Sequence, residues 1–166
     1  AEARFIETGP DEFIYARYGN PTVRMFEERI AAIEGTEDAF ATASGMAAVN
    51  GALTALLKAG DHVVAARALF GSCLYVLEVL GRFGVEVTLV DGTDLDQWRG
   101  AMREGTKAVF LESVSNPTLE VIDVRGVAEI AHRVGATVIV DNVFATPTFS
   151  QAVALGADVV VYSATK

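Results

Sequence analysis

Short runs of β-branched residues alternate with helical segments along the chain, and this alternation constrains the fold more than any other feature. Strands are predicted to begin at intervals of roughly 22 to 29 residues. The six predicted strands cover residues 39–42, 62–66, 85–90, 107–113, 136–140 and 158–162. Uninterrupted apolar runs such as VIV and VVV are typical of strands that are covered on both faces. The pattern therefore predicts an α/β fold with a mainly parallel sheet and helices on both faces.

Local capping signals predict where the helices between these strands begin and end. Asn20 is placed to cap the first helix, and Gly35 is placed to end it. Ser44 is expected to cap the second helix, while Asp94 with Gln97 resembles a reciprocal capping box. The predicted helices cover residues 21–34, 45–58, 72–83, 95–104, 124–134 and 150–155.

The composition is that of a folded, acidic protein. Hydrophobic residues make up 51% and charged residues 21% of the sequence, which excludes an intrinsically disordered chain. The formal charge of −9 argues against a non-specific nucleic-acid binder and against a basic membrane-surface protein. No apolar run is long enough to span a bilayer.

Several familiar chemistries lack their sequence signatures. The single cysteine, Cys73, excludes a disulfide framework, is expected to pack in the core, and fits a reducing, cytoplasmic location. His62 and His132 are not in a metal-ligand spacing, so both are expected at the surface or at caps and no metal site is expected. Neither a G-x-G-x-x-G fingerprint nor a P-loop nor a G-x-S-x-G elbow occurs.

Polar residues follow four of the predicted strands at their carboxyl ends, where ligands bind in open α/β sheets. The four segments are residues 44–46, 70–72, 141–142 and 163–166. Taken singly, each has an ordinary structural explanation as a helix cap, a turn, a core aromatic or a solvated loop. Together they offer helix-start N–H groups, an aromatic ring, a carboxylate, hydroxyl groups and one amine.

That combination matches what pyridoxal phosphate (PLP) requires. A lysine amine forms a covalent link with the cofactor aldehyde, and a carboxylate keeps the pyridine nitrogen protonated. Hydroxyl groups and helix-start N–H groups can hold the phosphate, and an aromatic ring can stack on the pyridine. The sequence therefore favours a PLP site at this edge of the sheet.

Five ordered motifs resemble the Cys/Met-metabolism family of fold-type-I PLP enzymes. They are YARYGNPT at 15–22, ASGMA at 43–47, ESVSNP at 112–117, DNVFATP at 141–147 and GADVVVYSATK at 156–166. The resemblance implies that residues 21–166 are part of the PLP-binding large domain and end at the Schiff-base lysine. It also implies that residues 1–20 form an arm that reaches a neighbouring subunit. Because the chain lacks an initiator Met and stops directly after a core strand, we expect it to be an internal piece of a longer protein.

The resemblance also implies a role for individual residues. Lys166 would carry the cofactor and act in catalysis, and Asp141 would pair with the pyridine nitrogen. Tyr15 and Arg17 would reach the phosphate of the neighbouring subunit, in a homotetramer built from two site-sharing dimers. The other implied cofactor-binding residues are Ser44, Gly45, Met46, Phe70, Asn116, Ser163 and Thr165.

Two departures from the common family pattern bear on the reaction. Phe70 stands where many members have tyrosine, and Val143 stands where many have threonine. The Phe-Gly-Ser arrangement resembles the O-succinylhomoserine sulfhydrylase branch, which implies γ-replacement of succinate by sulfide to give L-homocysteine. Cystathionine γ-synthase, O-acetylhomoserine sulfhydrylase and γ-lyase activities remain alternatives within the family. A non-catalytic α/β domain that binds phosphate or a nucleotide is the alternative from another class.

Overall fold

A computed structural model describes residues 13–166, and residues 1–12 lie outside the described residues. Most of the arm predicted over residues 1–20 therefore lies outside them as well. The chain divides into two compact units, one that ends at Ala41 and one that begins at Thr42.

The first unit contains helix α1 (Pro21–Glu34), which begins and ends where the capping signals predict. The side chain of Asn20 accepts hydrogen bonds from the backbone N–H groups of Thr22 and Val23. Gly35 follows with a positive φ of 71°, a conformation that glycine adopts without a steric penalty. The structure confirms the predicted helix over residues 21–34.

The strand predicted over residues 39–42 is absent, and this prediction was wrong. The backbone N–H of Ala39 donates to the Asp38 carboxylate, and the N–H of Ala41 donates to the buried carboxylate of Glu27. Side chains thus bind the backbone groups that a neighbouring strand would otherwise pair. The described residues hold five of the six predicted strands.

The second unit is built around a five-stranded sheet in which every neighbouring pair is parallel. Its strands are β1 (His62–Ala66), β2 (Glu86–Val90), β3 (Thr106–Glu112), β4 (Thr137–Asp141) and β5 (Val159–Val161). Their order across the sheet is β2-β1-β3-β4-β5. The chain crosses from β2 over β1 to reach β3, so the direction of winding reverses between β1 and β3, where crevices for ligands form.

Helices connect the strands and cover both faces of the sheet. They are α2 (Gly45–Leu56), α3 (Gly71–Arg82), α4 (Leu95–Ala101), α5 (Val124–His132) and the short α6 (Thr146–Phe149). Helix α2 packs against α3, and α4 packs against α5. All five residues of β1 are buried, as a strand with both faces covered requires. The predicted α/β architecture is confirmed.

Two local predictions in the second unit need correction. Asp94 caps α4, but Gln97 accepts from the N–H of Asp91 instead of Asp94, so the reciprocal capping box does not form. The helix predicted over residues 150–155 is also wrong. Ser150 is extended, and its carbonyl accepts a hydrogen bond from the Asn142 side chain. Only Val153–Leu155 forms a helical turn, of the 3-10 type.

His62 lies in the core, contrary to the surface position expected for it. Its two ring nitrogens bond the hydroxyl groups of Thr106 and Thr88, from the strands on either side. Burial and the nearby Arg103 charge lower the pKa of His62. The other histidine, His132, is exposed as expected and bonds Asp158. Within residues 13–166, no helix is long and apolar enough to cross a membrane.

Candidate functional site

A cavity of about 250 Å³ opens at the carboxyl edge of the sheet, slightly below the usual size of a small-ligand site. It is formed within the second unit, by loops that follow β1, β3, β4 and β5 and by the start of α2. The residues predicted for the site that line it are Ser44, Gly45, Met46, Phe70, Asn116, Asp141, Ser163, Thr165 and Lys166. The topology thus brings together side chains that are far apart in the sequence.

One end of the cavity has groups suited to an anion. Ser44 caps α2 through a hydrogen bond from the N–H of Ala47 to its hydroxyl oxygen. The N–H groups of Gly45 and Met46, the first two residues of α2, have no acceptor within the helix. They lie at the positive end of the helix dipole, so they can donate to a phosphate.

Ser163 lies very close to the start of α2. A Cβ atom added to Gly45 would lie 2.7 Å from Ser163 Cβ and 3.1 Å from Ser163 Cα. Only glycine allows this approach, which brings the Ser163 hydroxyl close to the first residue of α2. The same loop turns back at Lys166, whose backbone N–H donates to the Ser163 carbonyl at 3.3 Å.

Asp141 ends β4 and presents a carboxylate that is largely removed from solvent. Burial raises the pKa of Asp141, although the N–H of Val143 donates to the carboxylate at 3.0 Å and opposes that effect. Among residues 13–166, Asp141 has no ion-pair partner. A buried carboxylate in this state favours a cation in the cavity.

The neighbouring Asn142 holds the end of β4 in place. It is fully buried and its side-chain oxygen accepts from the Ser113 hydroxyl at 2.7 Å. Its side-chain nitrogen donates to the Ser150 carbonyl and to the Tyr162 hydroxyl. One side chain thus joins the segments that follow β3, β4 and β5.

Glu112 is a second carboxylate at the cavity, and we did not predict it as a site residue. Its two oxygens accept from the N–H groups of Phe70 and Asn116, each at 2.7 Å. Burial is the largest cause of its raised pKa, and the Asp141 charge adds to it. The available sequence signal was an acid at the end of the apolar strand VFLE, the same signal that identified Asp141.

Cys73 is buried in α3 as expected, and it also borders the cavity. Its sulfur and the carboxylate oxygens of Glu112 and Asp141 lie within 4.8 Å of one another. Burial, together with those two negative charges, raises the pKa of the Cys73 thiol to about 12. The thiol therefore stays protonated near neutral pH, which disfavours metal binding by these three groups.

Tyr15 and Arg17 belong to the first unit. The Arg17 guanidinium lies 5.1 Å from the centre of the Tyr15 ring and 5.4 Å from that of Tyr18. The aromatic faces hold the cation, and no carboxylate of the described residues forms an ion pair with Arg17. The role of Tyr15 and Arg17 in a neighbouring subunit's site stays a prediction.

The residues of the second unit fit PLP on two structural observations. A buried carboxylate without a cation partner among the described residues matches a protonated pyridine nitrogen. The close approach of Gly45 to Ser163, which a side chain at Gly45 would prevent, places the Ser163 hydroxyl beside the N–H groups at the start of α2, as a phosphate site requires. Lys166 is the one lysine that borders the cavity in the described part of the chain.

Comparison with known proteins agrees with this chemistry. Residues 1–166 match the family described as Cys/Met metabolism PLP-dependent enzyme. The chain is 58% identical to an O-succinylhomoserine sulfhydrylase of Mycobacterium tuberculosis, over 94% of this chain and 39% of the relative. It is 48% identical to an L-methionine gamma-lyase of Fusobacterium nucleatum, over 93% of this chain and 40% of that relative.

A solved structure gives the same result. The chain superposes with a TM-score of 0.90 and 37% identity on a putative O-acetylhomoserine (thiol)-lyase from Campylobacter jejuni that contains a pyridoxyl-lysine phosphate. The match covers all of this chain and 41% of that one. This chain spans about two fifths of the length of the curated relatives that it matches. On the family match over its whole length, the chain belongs to the Cys/Met-metabolism family of PLP-dependent enzymes.

Proposed function

We propose that the full protein is a sulfhydrylase that converts O-succinyl-L-homoserine and sulfide to L-homocysteine and succinate. The observation that carries this proposal is the 58% identity to the mycobacterial enzyme of that name, against 48% to the methionine gamma-lyase. Phe70 at the cavity supports the same branch, because many other family members carry tyrosine there. The substrate belongs to the amino acids, on which PLP enzymes of this family act.

We assign the parts of the cavity as follows. Gly45, Met46, Ser163 and Thr165 hold the phosphate, with Ser44 fixing the start of α2. Phe70 stacks on one face of the ring, and Asn116 binds the ring hydroxyl. Asp141 binds the protonated pyridine nitrogen, which relieves its buried charge. When bound, PLP supplies an electron sink for the negative charge that develops on the substrate.

Lys166 is the group that we propose moves protons. Lys166 would hold the cofactor covalently at rest, and its amine would be free for proton transfer once the substrate amine is bound in its place. The free amine would take the Cα proton, pass it to the electron sink that PLP supplies, and only then be able to take the Cβ proton. Succinate leaves from Cγ, sulfide adds at the same carbon, and Lys166 returns the protons. The Phe70 ring has no ionisable group, so it takes no part in these transfers.

We further propose the assembly and location that the resemblance implies. Residues 1–20 form an arm that completes the site of a neighbouring subunit through Tyr15 and Arg17, and residues 21–166 are part of the large domain. The subunits form a homotetramer of two site-sharing dimers. A cytoplasmic location is consistent with a single, unpaired cysteine.

Product analysis of the purified full-length enzyme tests the reaction. With O-succinyl-L-homoserine, we expect homocysteine to form faster with sulfide than cystathionine forms with cysteine. Efficient cystathionine formation with little sulfide-dependent turnover would reject the sulfhydrylase assignment in favour of a synthase. Rapid release of ammonia and a keto acid without any added thiol would instead identify a γ-lyase.

A further inference from the structure

Glu112 makes an unusual pair of contacts at the cavity. Its side chain is 4% exposed, and each of its oxygens accepts one backbone N–H at 2.7 Å. The two donors are Phe70, which follows β1, and Asn116, which follows β3. Strands β1 and β3 are neighbours in the sheet, and the winding reverses between them. Glu112 therefore joins the two loops on either side of the crevice.

The fold alone does not require a charge at this position. A neutral acceptor could satisfy either N–H, and burying a carboxylate without a cation is unfavourable. The nearby Asp141 carboxylate makes an ionised Glu112 still less favourable, since like charges at short distance repel each other. What a carboxylate offers is two equivalent acceptor oxygens in fixed geometry, with short charge-assisted hydrogen bonds.

We propose that Glu112 is a positioning residue that sets the spacing between Phe70 and Asn116, and through them the orientation of the PLP ring. The inference rests on the proposed function, in which Phe70 stacks on the ring and Asn116 binds its hydroxyl group. Glu112 acts through the backbone of both residues, because their N–H groups bind its two oxygens. Loss of either hydrogen bond frees one wall of the cavity.

Two substitutions separate the geometry from the charge. Glu112→Gln keeps one acceptor oxygen but turns an NH₂ group toward a backbone N–H, so one of the two links is lost. Glu112→Asp keeps the charge but is one methylene shorter, so it cannot reach both donors. Glu129→Gln is the matched control, because Glu129 is exposed on α5 and the substitution makes the same change of charge.

The test uses the full-length, cofactor-loaded enzyme and follows the visible circular dichroism of the bound PLP, which reports how the ring is held. We expect Glu112→Gln to reduce this signal about twofold or more and to speed cofactor dissociation about tenfold, the scale of one lost charge-assisted hydrogen bond. Reduction with borohydride should still fix the cofactor to Lys166. Glu129→Gln should match the wild type in every readout.

Unchanged dichroism and cofactor dissociation in a folded Glu112→Gln enzyme would overturn the proposal. If that variant does not fold, Glu112→Asp decides the question with the same readouts. Phe70→Leu and Asn116→Ala distinguish this failure from failure of the site assignment. If neither changes the cofactor signal, the assignment of Phe70 and Asn116 is wrong; if they change it and the Glu112 variants do not, only the positioning role is wrong.

Discussion

Gly45→Ala tests the proposed phosphate site with a single methyl group. The added Cβ would lie 2.7 Å from Ser163 Cβ, whereas ordinary contacts begin at 3.4 Å. The start of α2 and the Ser163 loop must therefore separate by at least about 0.7 Å, because carbon atoms at shorter range repel steeply. The clash involves the Ser163 backbone as well, so rotation of a side chain does not relieve it.

Under the proposed assignment, that separation removes one hydrogen bond to the phosphate. A hydrogen bond to a charged group contributes about 1.5–3 kcal/mol, so its loss should increase the dissociation constant of PLP about 10- to 150-fold. Titration of cofactor-free, full-length enzyme with PLP, followed by visible absorbance, measures this constant. Thermal unfolding of the same sample shows whether the protein itself is intact.

Gly51→Ala is the matched control, because it adds the same methyl group within the same helix. No atom lies within 4 Å of that added Cβ, so PLP affinity should not change. Replacing a glycine inside a helix should even stabilise the protein by about 0.5–1 kcal/mol. Equal PLP affinity in folded Gly45→Ala and Gly51→Ala enzymes would refute the phosphate site at the start of α2.

Four further predictions concern charged groups. Asp141→Asn should stabilise the cofactor-free enzyme by about 1–3 kcal/mol at neutral pH and yet greatly reduce turnover, since it removes a buried charge that the cofactor needs. The pKa of Asp141 is raised in the folded protein, so this carboxyl stabilises the fold below its ordinary pKa, and that stabilisation is lost as pH rises through the raised value. The stability gained by Asp141→Asn should therefore appear in the unfolding temperature at neutral pH and not at acidic pH. Borohydride reduction and peptide mapping should find the cofactor on Lys166 and none on Lys58. Equal mixtures of Arg17→Ala and Lys166→Ala subunits should regain about a quarter of the wild-type activity, because half of the dimers then contain one site with both native residues. His62 has a lowered pKa, so the stability it contributes is complete above about pH 6.5 and is lost as pH falls; His62→Asn should weaken this pH dependence of the unfolding temperature.

Each of these predictions has an outcome that contradicts it. Near-normal turnover of Asp141→Asn with cofactor bound would contradict its role at the ring. Label on Lys58 would reject Lys166 as the cofactor lysine. Inactive mixtures, with subunit exchange demonstrated, would exclude Arg17 from the neighbouring site. An unfolding temperature with the same pH dependence in wild type and His62→Asn would show that His62 does not titrate in this range.

Features set by neighbouring residues were the ones that the sequence predicted well. Asn20, Ser44 and Asp94 each accept an N–H two or three residues ahead, and each marks a helix start that the structure confirms. The apolar runs of β3, β4 and β5 were equally clear, because the middle of a covered parallel strand is apolar on both faces.

Two of the errors, the strand over residues 39–42 and the helix over residues 150–155, occur where side chains from several positions earlier in the sequence bind the backbone. In the segment 39–42, the N–H of Ala41 donates to the side chain of Glu27, which lies 14 positions earlier in the sequence. Ser150 is extended because the Asn142 side chain takes its carbonyl. Hydrogen bonds between residues this far apart in the sequence cannot be predicted from a local sequence pattern.

The candidate site shows the same division. Asp141 was predictable because a carboxylate at the end of an apolar strand is unfavourable unless a cation or hydrogen-bond donors face it. Glu112 has the same local signal, but its importance depends on the N–H of Phe70, 42 positions away in the sequence. Only the parallel pairing of β1 with β3 brings the two together.

The approach of Gly45 to Ser163 also has a consequence during synthesis of the protein. The start of α2 leaves the ribosome early, whereas Ser163 and Lys166 follow only after all five strands. Under the proposed assignment, a nascent chain therefore has half of the anion site without the residues that close it, and we expect it not to retain PLP before β5 pairs with β4. Once β5 is in place, a ligand at 100 times its dissociation constant stabilises the folded state by about 2.7 kcal/mol. Under the proposed assignment, the cofactor thus binds only after β5 has paired with β4, and it favours chains in which that pairing has formed.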